Sequence, residues 1–384
     1  MNMNNKNWVS VWGNAVSIAE HHPEAYAKYI TLRYPVYIPF AGDTLRFTFD
    51  NYCGSEAVTV TRATVSAATS PVYEKMPLAC PCKKETICDI TFSKNESVTM
   101  EAHQTAVSDP VSFPVKKGMT LTVSLYFADF TLMQSAVLVT GPLSKGFFSL
   151  GDQTHADALP MDTTKTTNWF YFLSNIELMT AEENHTVICY GDSITAGAWP
   201  DYLTLLARQN PDNHTAFIRR ATSGSRVLRQ YECITYDSYG LKGTNRFPHE
   251  IPTTGADTVI IQQGINDIIH PVGIETNPFR PMSDLPTAKE LIDGYRYYIE
   301  EAKKLHLKVY MGTLLPIFGW RTYATFRDDL RNELNAWIRS AKEIDGCIDF
   351  DLALRGSENP SAFREGFDSG VGKSETALEL IKRG

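Results

Sequence analysis

The hydrophobic pattern of the chain changes its period once, near Ala181-Glu182-Glu183-Asn184, and this limits the possible folds more than any other feature. From about Tyr26 to Leu178, apolar and polar residues alternate in short steps, as in YITLRYPVYI, DTLRFTFD, AVTVTRATVSA, SVTMEA and MTLTVSLYFADF. Successive side chains of a strand point to opposite faces, so period-two runs rich in β-branched and aromatic residues predict strands. Turn signals such as Ala41-Gly42-Asp43 and Lys116-Lys117-Gly118 separate the runs. The expectation for residues 1–180 is therefore an all-β sandwich, jelly-roll-like in topology.

After the change, strands and helices take turns. HTVICY reads as a strand, Tyr202 to Gln209 as a helix, Thr215 to Ile218 as a strand and DTVIIQQ as a buried strand. A long helix follows in which Leu291, Tyr295, Ile299, Ala302 and Leu305 share a face, then a strand KVYMGTLLPI. Phe326, Leu330, Leu334, Trp337 and Ile338 mark a further helix, and CIDFDLAL a last strand. This order predicts an α/β domain over residues 181–384 with a parallel, doubly wound sheet. Sheets of that kind bind ligands at the carboxyl ends of their strands.

A chain of 384 residues suits two domains, and 43% hydrophobic with 21% charged residues is the composition of a folded protein. A net charge of −8 without a Lys/Arg block excludes a surface for nucleic acid. No segment approaches the roughly 18 to 20 apolar residues of a membrane span. The first residues, Met1 to Ala19, lack a basic stretch followed by an apolar run, so a cytoplasmic location is expected. Seven cysteines suit free thiols better than a disulfide framework. Cys80, Cys82 and Cys88, in CPCKKETIC, read as a thiol-bearing loop because a zinc site needs a fourth ligand and another spacing. Cys189 and Cys347 stand in apolar runs and read as small core residues. No metal or other cofactor is expected, and nothing indicates the oligomeric state.

Three blocks carry the chemistry. Tyr190-Gly191-Asp192-Ser193-Ile194-Thr195-Ala196-Gly197 falls where the first buried strand ends and a helix begins. That puts the Ser193 hydroxyl on the ligand-binding edge, with its N–H near a helix N-terminus that favours negative charge. Alone, the block fits a capping turn as well, since Asp and Ser are common N-caps. Ala221-Thr222-Ser223-Gly224-Ser225-Arg226 follows the next strand, and Gln263-Gly264-Ile265-Asn266-Asp267 the third.

Together the blocks resemble those of the SGNH/GDSL hydrolases, with GDSITAG, the glycine of SGSR and GIND in the family's order. The resemblance implies a three-layer, flavodoxin-like domain with Ser193 as nucleophile. It also implies an oxyanion hole made by the Ser193 and Gly224 backbone N–H groups and the Asn266 side-chain amide. Acyl transfer builds negative charge on the former carbonyl oxygen, so preorganised donors suit that role. Gly224 also fits a plain turn glycine, and Asn266 a side chain tying one loop to another.

The sandwich-first order, Asp349-Phe350-Asp351 and Phe367-Asp368-Ser369-Gly370 resemble a bacterial two-domain branch of these esterases. That branch continues with Asp-x-x-His, the remaining members of its triad. Here the text reads Val371-Gly372-Lys373-Ser374-Glu375-Thr376, and no histidine occurs after His306. A serine hydroxyl is a weak nucleophile without a base. Three readings follow: a descendant that has lost catalysis, an altered C-terminus, or a substitute base. His270, four residues past Asn266, is the candidate substitute, whereas His306 falls on the opposite edge of the sheet. Asp368 aligns with the Asp-Ser-Gly and not with the triad acid. Gly370-Val371-Gly372-Lys373-Ser374 is no phosphate loop, since that motif needs glycine where Phe367 stands.

Trp199, Tyr231, Tyr236, Tyr239, Phe318 and Trp320 fall in predicted loops on the same edge, as an acyl or sugar platform or as packing under a lid. The leading expectation is a hydrolase of a small ester or acylated saccharide, acting through an acyl-enzyme on Ser193. The alternative is a non-catalytic protein that binds a carbohydrate or a partner.

Overall fold

The computed structural model describes residues 6–18, 26–230, 239–273 and 280–367. Contacts group the chain into two units, Met1–Thr186 with Pro200–Arg219, and Val187–Trp199 with Arg220–Gly384.

The first unit is rich in antiparallel sheet. Its longest pairing joins Ile30–Ile38 to Met119–Phe127, in register from Met119↔Ile38 to Phe127↔Ile30. These two strands are central in a sheet completed by Gly146–Leu150 and Lys165–Thr167 on one side and Arg62–Ala67 and Cys88–Ile90 on the other. A second sheet runs Lys6–Gly13, Leu173–Ala181, Gly42–Asp50 and Thr105–Val107, with Val111–Val115 also paired to Gly42–Asp50. Tyr34, Val36, Phe47, Phe49, Val123 and Leu125 form a fully buried core. The polar alternates of the central strand, Thr120, Thr122 and Ser124, are buried too. The loops bearing Met76, Cys80 and Leu159 close over Phe147 of the same sheet, and Ser66 and Thr122 share a hydroxyl–hydroxyl bond of 2.5 Å. Arg33 is buried with its guanidinium satisfied by Ser124 Oγ and the carbonyls of Cys80, Gln153 and Ala156, as a buried charge requires.

The later elements are β1 (His185–Gly191), α1 (Ser193–Ala196), α2 (Trp199–Ala207), β2 (Thr215–Ala221), α3 (Gly243–Glu250), β3 (Ala256–Gln262), α4 (Ile265–Ile269), α5 (Ala288–Lys304), β4 (Lys308–Gly312), α6 (Thr325–Ser340), β5 (Gly346–Ile348) and α7 (Phe350–Leu354). Their sheet has the order β2-β1-β3-β4-β5. β3 pairs parallel with β4 from Thr258↔Lys308 to Ile261↔Met311, and β4 parallel with β5 from Tyr310↔Gly346 to Gly312↔Ile348. The order reverses at β1, and such a switch opens a crevice at the carboxyl ends of the strands on either side.

α5 starts at a capping box in which the Thr287 hydroxyl accepts from Glu290 N and the Glu290 carboxylate accepts from Thr287 N. Its buried face holds Leu291, Tyr295, Tyr298, Ile299 and Ala302 and packs on α3 and α6, whereas Leu305 is the C-cap and 42% exposed.

CIDFDLAL is not one strand. β5 stops at Ile348 because the Asp349 carboxylate accepts from Leu352 N, which starts α7 in its place. Cys347 is correspondingly exposed, contrary to its reading as a core residue, while Cys189 is buried in β1. Among the described residues no helix is long and apolar enough to cross a membrane, and no group of His, Cys, Asp and Glu is placed to hold a metal ion.

Candidate active site

The three sequence blocks lie at the carboxyl ends of the three neighbouring strands β2, β1 and β3. At the end of β1, the Asp192 carboxylate accepts from Ile194 N at 3.0 Å and thereby opens α1 at Ser193, which is exposed. The approach of β3 is close: a Cβ on Gly191 would overlap Gln262 O and the Thr195 side chain. The second block joins the first through Thr222 N donating to Gly191 O at 3.2 Å. Thr222 O in turn accepts from Ser225 N at 3.2 Å, closing a turn whose third residue is Gly224 at φ +77°. A positive φ at that place is what a type II turn needs glycine for. The third block joins the second through Asn266 Nδ2, which donates to Ser225 O at 3.1 Å. The Asp267 carboxylate accepts from Val227 N and Leu228 N at 2.8 and 3.0 Å.

Asn266 thus ties two loops together, as its plainer reading had it. A side-chain amide carries two N–H groups, so that bond leaves one of them over.

Burial governs the electrostatics beside the serine. It pushes the Asp192 carboxyl up to about 7, with the charge of Asp267 adding to the rise and the Ile194 N–H opposing it. Burial pushes Asp267 up to about 6 against the pull of the Val227 and Leu228 N–H groups.

Among the described residues the Ser193 hydroxyl has no hydrogen-bond partner. His270 caps α4, with its N–H on Asn266 O at 3.1 Å and its ring stacked on Tyr239 at 5.1 Å between centroids. Burial, reinforced by the charges of Arg226, Arg280 and Arg321, drives its pKa down to about 3. An imidazole so depressed is neutral near pH 7 and a weak proton acceptor. His306 lies between α5 and β4, at the amino end of that strand.

Tyr239 also lies over the turn of the second block, where a Cβ on Gly224 would overlap its ring. Trp199 is not in a loop: it opens α2, is buried, and meets Phe350 at 6.0 Å. The large apolar ring found its place in the core and not on the rim. Phe318 is exposed and edge-on to Tyr323, and Arg321 lies over the Trp320 ring. Tyr231, Tyr236, Asp368 and residues 369–376 lie outside the described residues.

Sequence reasoning missed a buried group behind these loops, in which Arg246 and Glu250 of α3 meet Ser225 and Gln263. The only signal was an Arg and a Glu four apart in GTNRFPHE, a segment too short and too polar to read as a buried helix.

Residues 189–371 match the model of the GDSL-like lipase/acylhydrolase family. No curated protein matches the chain at a significant level. Solved structures similar to the chain include a GDSL-like lipase from Bacteroides thetaiotaomicron, 19% identical over 53% of this chain and 85% of that one, with a TM-score of 0.37. A family two carbohydrate esterase from Cellvibrio japonicus is 10% identical over 98% of this chain and 95% of that one, with a TM-score of 0.35. An active-site mutant of a family two carbohydrate esterase from Clostridium thermocellum is 10% identical over 99% and 96%, also at 0.35. By the family match and the blocks it spans, the chain carries a GDSL-like lipase/acylhydrolase domain at residues 189–371.

Proposed function

We propose that the chain hydrolyses a small carboxylic ester, a short acyl ester or an acylated saccharide, with Ser193 as nucleophile. The observation that carries this reading is the exposed Ser193 at the first position of α1, past the end of β1, which lies between the strands that lead to the turn of Gly224 and the helix of Asn266. In the reaction the Ser193 oxygen attacks the ester carbonyl carbon and gives up its proton to solvent water, which the exposed hydroxyl faces. The carbonyl oxygen takes the electron pair and faces the N–H groups of Ser193 and Gly224 and the remaining Asn266 amide proton. The intermediate collapses, the alcohol leaves with a proton, and water releases the acid from the acyl-enzyme. In this reading the domain is a three-layer, flavodoxin-like fold over residues 181–384, preceded by a β-sandwich over residues 1–180.

The proton of Ser193 has no acceptor among the described residues, and residues 307–384 contain no histidine. Turnover is accordingly expected far below the roughly 10 s⁻¹ typical of enzymes, and a rate at that level would reveal a base elsewhere in the chain. The same observation favours a second reading, a protein that keeps the pocket for binding alone. Hydrolysis of p-nitrophenyl acetate by the wild type and by Ser193→Ala separates the two. An initial burst that vanishes with the hydroxyl supports the hydrolase. Equal rates from both proteins overturn it in favour of the binder.

A further inference from the structure

Ser225 is tied down at three atoms, and each tie bears on a proposed oxyanion donor. Its N–H closes the turn on Thr222 O at 3.2 Å, its carbonyl accepts from Asn266 Nδ2 at 3.1 Å, and its hydroxyl oxygen accepts from Arg246 Nη1 at 2.9 Å and Gln263 Nε2 at 2.8 Å. Two incoming donors fill both lone pairs of a hydroxyl.

Those donors are themselves immobile. Gln263 Oε1 accepts from the Tyr298 hydroxyl at 2.7 Å, which leaves Nε2 as the end facing Ser225, and Gln263 O accepts from the Tyr295 hydroxyl at 2.8 Å. Arg246 is held by both oxygens of Glu250, at 3.0 Å from Nε and 2.7 Å from Nη2. Ser225, Arg246, Glu250 and Gln263 are all buried, so water offers none of them a substitute partner.

We propose that Ser225 is the positioning residue of the oxyanion-binding loops, its hydroxyl pinning to Arg246 of α3 and to Gln263, just past the end of β3, the main chain that presents the Gly224 N–H and holds the Asn266 amide. The proposal rests on the hydrolase reading for its catalytic meaning but on the hydrogen bonds alone for its structural content. Geometry of this kind matters because misplacing a donor by about 1 Å costs on the order of 100-fold in rate.

The test is Ser225→Ala, read as the rate at which a fluorophosphonate labels Ser193, since that reaction also builds negative charge on an oxygen. The expected result is a fall of about 10- to 100-fold in the limiting rate, with the half-saturating concentration within about twofold of wild type. An unchanged limiting rate, or a loss confined to half-saturation, overturns the proposal. Should Ser225→Ala fail to fold, Gln263→Met removes one donor and leaves Arg246 in place. It is expected to show the same split at smaller amplitude, and no split overturns the proposal.

A wild type that is never labelled refutes the nucleophile and not Ser225. The side-chain amide resonances of Asn266 then decide, because they need no chemistry at Ser193. A shift in Ser225→Ala supports the proposal, and unchanged resonances overturn it.

Discussion

Asp192 stands one residue before the exposed serine, and its burial gives the fold a pH dependence of definite sign. Its carboxyl is pushed from 3.8 up to about 7, so between those values the native state keeps a proton that the unfolded chain has lost. The stability gained by burying it neutral is full below about pH 4 and is lost as the pH rises through about 7. Asp192→Asn keeps an oxygen for Ile194 N and cannot ionise. Its melting temperature should exceed that of the wild type at about pH 8, by an amount worth a few kcal/mol at most, and the margin should vanish near pH 4. A margin that is constant across this range would contradict the assignment. At this scale the sequence singled out Ser193, Gly224 and Asn266 through three short blocks, and the fold sets those blocks at the ends of neighbouring strands. It was silent on Ser225 and Gln263, although both stand inside the quoted blocks, because a polar residue declares its partners only once folding has brought them together.

Elements were legible in proportion to their apolar stripe. α5 shows its stripe and its Thr287–Glu290 capping box plainly. α3 and α7 hide because their buried faces hold charge, with Arg246 and Glu250 in the one and Asp351 in the other. The Arg246–Glu250 pair is buried, and breaking a buried ion pair leaves a charge with nothing to balance it. Glu250→Ala is expected to cost about 3–5 kcal/mol in urea unfolding. A loss below about 1 kcal/mol, the range of surface pairs, would contradict the burial of the pair.

For the whole molecule, the change of hydrophobic period at residues 181–184 separates the antiparallel sheets from the parallel one. What it could not reveal is how thoroughly the first unit is covered. Thr120, Thr122 and Ser124 are the polar alternates of a period-two strand, yet they are buried, with Thr120 Oγ1 accepting from Val72 N, Thr122 bonded to Ser66 and Ser124 Oγ accepting from Arg33. Nor does the period announce the strand order β2-β1-β3, which makes neighbours of three loops from separate stretches of sequence.

Trapping the acyl group shows whether these three loops form one acyl-transfer site. The protein is mixed with p-nitrophenyl acetate, quenched in acid and mapped by peptide mass spectrometry. The expected result is acetyl on Ser193 in the wild type and none at that position in Ser193→Ala, with the rest of the map unchanged. Acetylation spread over surface lysines at the same level in both proteins, with Ser193 unmodified, would contradict it.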